Sequence, residues 1–80
     1  MLWRKVMIDY YRDNDSEVVI KIEEEYKGVY LIEERRYDLK DYNTQSELYN
    51  KTLDDFDEEY DDTVANALDQ ITTQIFKERK

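Results

Sequence analysis

The chain has no cysteine, no histidine and no proline, and Gly28 is its only glycine. Without cysteine there are no disulfides and no thiolate metal sites; without histidine the commonest general base and transition-metal ligand is missing too. Ser16 and Ser46 therefore have no imidazole to activate them. Nor is there an apolar run near the roughly 18 residues that a membrane span needs, and charge at Arg4 and Lys5 interrupts the start at once, unlike a signal peptide. These absences lead us to expect no cofactor, no metal, no enzyme activity, no membrane association and a cytoplasmic setting. Eighty residues leave room for a single domain, 1–80, with a small core.

What is present is acid: 21 Asp and Glu against 12 Lys and Arg, a formal net charge of -9. Such a surface is repelled by nucleic acid and anionic membrane and attracted to basic proteins. Acidic chains can be disordered, but 40% hydrophobic and 14% aromatic residues supply enough apolar surface to fold this one.

With so little glycine and proline, breaks must be read from clusters of Asn, Asp and Ser. Arg12 to Ser16 separates Leu2–Tyr11 from Glu17–Glu25, and Tyr26-Lys27-Gly28 separates the latter from Val29–Tyr37. The three runs are rich in Val, Ile and Tyr with partial alternation, which predicts a three-stranded antiparallel meander over 1–43. In the second run Val18, Ile20 and Ile22 share one face and Val19, Lys21 and Glu23 the other, so one face needs a cover.

The cover is the segment 44–80. Thr44 and Glu47 have the spacing of a capping box, and Tyr49, Leu53, Phe56, Tyr60, Val64, Ala67, Ile71 and Ile75 then recur at helical steps. On a continuous helix these eight stay within an arc of about 100°. A helix from Gln45 to Glu78 would run about 50 Å, against about 27 Å for an eight-residue strand, and Asp61-Asp62-Thr63 offers a second N-cap for a break. The expectation is thus an α+β fold: the meander packed on one long or two consecutive helices, with a slight preference for the break.

One candidate metal motif deserves testing. Asp13, Asp15, Glu17, Val19, Lys21 and Glu24 stand at positions 1, 3, 5, 7, 9 and 12 of a calcium-loop register. The sixth position, where glycine makes the sharp turn, is Val18, and no helical pattern flanks the loop. A polar turn running into a strand is the better reading.

The unexplained segment is LDDFDEEYDD, Leu53 to Asp62, with seven carboxylates in ten residues. On one helix Asp54, Asp57, Glu58 and Asp61 would form a ridge away from the apolar stripe, widened by Asp55, Glu59 and Asp62. Solvated helix faces ordinarily mix signs, yet Thr44 to Phe76 holds nine acids against the single base Lys51. Spaced along a helix, the seven charges approach one per about 2 Å of axis, near the one per about 1.7 Å of duplex DNA. Eight tyrosines, at positions 10, 11, 26, 30, 37, 42, 49 and 60, exceed what so small a core can enclose and suit an interface.

LDDFDEEYDD resembles the acid-and-aromatic helices of small phage proteins that mimic DNA, such as anti-restriction and anti-CRISPR inhibitors. The resemblance covers that segment together with the size, charge and sheet-plus-helix layout. It implies an inhibitor that binds no nucleic acid itself and occupies the basic nucleic-acid site of a defence protein, a restriction enzyme or, as the best single expectation, a CRISPR effector nuclease. A reading from another class is a structural or adaptor protein whose amphipathic helix pairs with itself or with a partner helix. Either a monomer or a homodimer is compatible with the sequence.

Overall fold

The computed structural model describes residues 4–56 and 62–78. Three strands come first, β1 (Arg4–Arg12), β2 (Glu17–Tyr26) and β3 (Val29–Asp38), and two helices follow, α1 (Gln45–Phe56) and α2 (Asp62–Glu78). The strands lie in the order β1-β2-β3, each antiparallel to its neighbour. This is the expected α+β arrangement, with each sheet boundary within a residue or so of where composition puts it; Leu2 and Trp3, expected in the first strand, lie outside the described residues.

Local chemistry sets both hairpins. At the β2–β3 turn Lys27 and Gly28 both have positive φ, 51° and 78°, the pairing that a two-residue turn of type I′ requires. At the β1–β2 turn the Asn14 carboxamide does the work: its Oδ1 accepts from the backbone N–H groups of Ser16 and Glu17, each at 2.9 Å. The calcium-loop register dissolves here, because Asp13 is paired with Arg36 and the residues from Glu17 onward are stretched along β2, on alternate faces of the sheet.

β2 is the central strand, and Val18, Ile20 and Ile22 face the helices as the alternation predicts. Val19 is buried as well, on the opposite face, in a cross-strand row with Tyr11 and Arg36. The core is closed by Tyr37, Leu39, Leu48, Phe56, Val64, Leu68 and Ile75.

The helical half divides as its length demands. At 1.5 Å per residue α1 and α2 are about 18 and 25 Å long, so each fits over strands of nine or ten residues. Gln45, at the start of α1, donates through Nε2 to Asp69 Oδ1 (3.0 Å) and Thr72 Oγ1 (2.8 Å) in the second half of α2, so the helices form an antiparallel pair. α2 lies on β1, and Tyr10 of that strand donates to Glu78 Oε1 at 2.5 Å in the helix's last turn.

Phe56, Val64 and Ile75 are buried as the stripe predicts, but elsewhere the deepest positions lie one residue from those expected for a continuous helix. In α1 the fully buried positions are Leu48, Thr52 and Phe56, and in α2 they are Val64, Leu68, Thr72 and Ile75. Tyr49, Leu53, Ala67 and Ile71, placed on the stripe by the sequence, are only half-buried, and Tyr60 lies outside the described residues. Two separate helices choose their phases independently, which a single wheel cannot represent. The two buried threonines are missed because their hydroxyls look too polar; each instead bonds back to its own helix, Thr52 to the carbonyl of Tyr49 (2.7 Å) and Thr72 to that of Leu68 (2.8 Å).

Candidate functional site: the acidic helical layer

α1 begins at Thr44, whose Oγ1 accepts from the Glu47 N–H at 3.2 Å. The Glu47 carboxylate reaches back to the N–H of Asn43, also at 3.2 Å, one residue earlier than in the usual box, so the cap forms in a displaced version. Glu47 thus serves the fold.

So do three other acids of this layer. Asp69 accepts from Gln45 between the helices, Glu78 accepts from both Tyr10 and Gln74, and Asp55 is paired with Lys51 one turn before it at 3.1 Å. The bond to Asp55 raises the Lys51 pKa, and the bond from Tyr10 lowers that of Glu78. Asp55 is half-buried and turned towards the sheet side of α1, where its charge also acts on Tyr37. The Tyr37 hydroxyl is buried and has no partner within strict hydrogen-bond geometry among the described residues, yet it lies close enough to Asp55 to interact; burial, followed by the charge of Asp55 and its hydrogen-bonding pull on the phenol, raises its pKa.

Asp54 and Asp62 behave differently. Both are exposed, and among the described residues neither forms a hydrogen bond or an ion pair. Asp54 lies in the last turn of α1, where the macrodipole disfavours an anion, and Asp62 opens α2, where it favours one. Of the seven acids singled out in the sequence, Asp57, Glu58, Glu59 and Asp61 lie outside the described residues. Of the ridge itself only Asp54 is described, with Asp55 and Asp62 of its flanks.

The apolar side of the layer is taken up by the fold. Of the seam Tyr49, Leu53, Phe56, Tyr60, Val64, Ala67 and Ile71 that pairing with a partner helix would use, Phe56 and Val64 are buried in the core, Tyr49, Leu53, Ala67 and Ile71 are half-buried and Tyr60 lies outside the described residues; Leu68 beside the seam is buried and Phe76 packs against the core. Over the rim of this core the Arg35 guanidinium lies 5.6 Å from the centre of the Phe56 ring, closing the gap between α1 and β3 with a cation–π contact. What the described helix residues present outward is polar, with more acids than bases among its charges.

Among the described residues no three Asp or Glu side chains are grouped so as to hold a metal ion, and no helix is long and apolar enough to cross a membrane. Comparison with protein families, with curated proteins and with solved structures finds no match to this chain.

Proposed function

We propose that this protein is an acidic decoy that occupies the basic nucleic-acid site of a DNA-handling defence protein, a CRISPR effector nuclease being the best single target and a restriction enzyme the next. The observation that carries the reading is the division of labour among the acids. Glu47, Asp55, Asp69 and Glu78 each hold a cap, an ion pair or an interhelical bond. Asp54 and Asp62 hold none among the described residues, and in the sequence they bracket Asp57, Glu58, Glu59 and Asp61. A helix end that gathers unbalanced acid loses a few tenths of a kcal/mol per like-charged neighbour pair. That loss is offset if a partner's Arg and Lys side chains, built to meet phosphates, meet these carboxylates instead.

The helix-seam reading is the alternative; Phe56 and Val64 are already used by the core, which leaves the half-buried Tyr49, Leu53, Ala67 and Ile71 for such a contact. The test of the decoy is a tagged pull-down from a nuclease-treated bacterial lysate, eluted with duplex DNA. Elution of a bound protein by DNA at moderate salt supports the reading. A partner indifferent to both DNA and salt sinks it.

A further inference from the structure

β3 is an edge strand that the helices leave bare. Val29, Tyr30, Leu31 and Ile32 are each more than half exposed, although they alternate between the two faces of the sheet, and only Tyr37 on this strand is buried. The free edge can be read from the register. A type I′ two-residue turn is closed by a hydrogen-bonded pair, here Tyr26 and Val29, and the register then runs without a bulge to Glu17 and Asp38. The next pair in that register, Ser16 and Leu39, keeps the alternation with a 2.7 Å bond from the Leu39 N–H to the Ser16 carbonyl. Val29, Leu31, Glu33, Arg35 and Tyr37 therefore bond to β2. The N–H and C=O groups of Tyr30, Ile32, Glu34 and Arg36 point away from it.

Edge strands are commonly guarded against a second copy by charge. Here the charges run Glu33-Glu34-Arg35-Arg36, and reversing the direction of such a strand sets opposite signs against each other. A two-fold axis through an antiparallel strand pair must place one residue opposite itself. With the axis at Glu34, nine residues pair, Tyr30 to Asp38, and Glu33 of each copy stands opposite Arg35 of the other. Leu31 then lies opposite the core residue Tyr37, and each Glu34 has the other copy's Arg36 on its diagonal. An axis at Glu33 also pairs nine residues but sets no Glu opposite an Arg. An axis at Arg35 pairs fewer.

We propose that β3 is a homodimer interface, pairing antiparallel with the β3 of a second copy about Glu34 to make one six-stranded sheet. The axis stands perpendicular to the sheet, so both helical layers lie on the same side, separated by the two bare strands. This inference rests on β3 alone and is independent of the decoy reading.

The chain contains no cysteine, so a single introduced thiol reports the register. The variant Glu34→Cys is expected to form a disulfide-linked dimer on mild oxidation, while Ile32→Cys, about 13 Å from its symmetry mate along the strands, is expected to remain monomeric. In sedimentation of otherwise native protein, Glu33→Arg should weaken dimerisation about tenfold or more, and the double reversal Glu33→Arg with Arg35→Glu should restore it. Circular dichroism melts check that each variant is folded. Wild-type protein that stays monomeric at high micromolar concentration overturns the proposal, as do two cysteine variants that cross-link alike. A monomer whose β3 amides become protected only on adding another protein assigns the edge to a foreign strand instead.

Discussion

The sheet and the helical layer handle charge in opposite ways. On the sheet, acids and bases are interleaved and paired: Lys21 with Glu23 at 2.9 Å, Arg36 with Asp13 and, more loosely, Glu17, and Arg35 with Glu33 at 3.8 Å. On the helices the bases nearly run out, and in the sequence acids collect where α1 ends and α2 begins; of these, the described Asp54 and Asp62 make no side-chain hydrogen bond or ion pair among the described residues. Exposed apolar surface has the reverse distribution, since Met7, Tyr11 and Val29 to Ile32 all belong to the sheet. Neither half keeps a surface chosen for solubility alone. On the two proposals made above, the contrast would separate two kinds of contact, one through strand edge and side-chain register, the other through charge density.

The largest effect is expected where the halves meet. Leu68 and Leu48 are fully buried between helices and sheet, so Leu68→Ala should destabilise by about 2–5 kcal/mol in thermal or urea unfolding, enough to unfold a domain this small. An effect below 1 kcal/mol would mean that the two layers are not one cooperative core.

Next comes the acidic patch. Changing Asp54, Asp57, Glu58 and Asp61 together to Asn or Gln should leave the melting temperature equal or slightly higher, because like charges are removed. Affinity for a basic partner should fall by about 2–4 kcal/mol at low salt. Unchanged affinity would reduce the patch to a solvated surface.

Two smaller predictions concern buried hydroxyls that look alike in sequence and differ in partners. Thr72→Val removes a hydroxyl that donates to Leu68 and accepts from Gln45, and should lose about 1–2 kcal/mol. Tyr37→Phe removes a buried hydroxyl whose one interacting side chain, Asp55, lies outside strict hydrogen-bond geometry, and should change stability by less than about 1 kcal/mol. A larger loss would show that the hydroxyl is bonded in solution.

The smallest effect is one of pH. The bond to Glu78 raises the Tyr10 pKa to about 12, chiefly by stabilising the protonated phenol. A folded-state pKa above the ordinary value of 10 means that this contribution is complete below pH 10 and is lost as pH rises through about 12. Glu78 titrates oppositely: its carboxyl is depressed, so its contribution is lost as pH falls through the lowered value. Ultraviolet titration of Tyr10→Phe should show one late-ionising tyrosine fewer than wild type.

These contrasts were unequally legible in the chain. The strands announce themselves because Val, Ile and Tyr alternate between two turns, and the packing of Val18, Ile20 and Ile22 follows from period two alone. The helix break was half legible: the mismatch of lengths argued for it, but no proline or glycine marks the spot, so the wheel was drawn through it and fell one residue out of phase at Leu48 and Leu68. Pairing was illegible. Nothing local in the sequence says that Lys51 pairs with Asp55 while Asp54 acts on it only through its charge, or that Asp69 is taken by Gln45 twenty-four residues earlier. Such facts depend on how two helices cross, which is decided by the core.

Every strand of the meander pairs with its neighbour in sequence, and the two helices are consecutive as well. Those neighbouring pairings are local and quick to form, but closing the core is not: α2 packs on β1, and Tyr10 bonds Glu78 at the far end of the chain. The absence of proline also removes the slow isomerisation phase that can hold back otherwise fast folders. Refolding from urea should accordingly be a single exponential. The apolar face of the sheet is covered only by the helices, so folding is complete only when the last helix docks on the first strand.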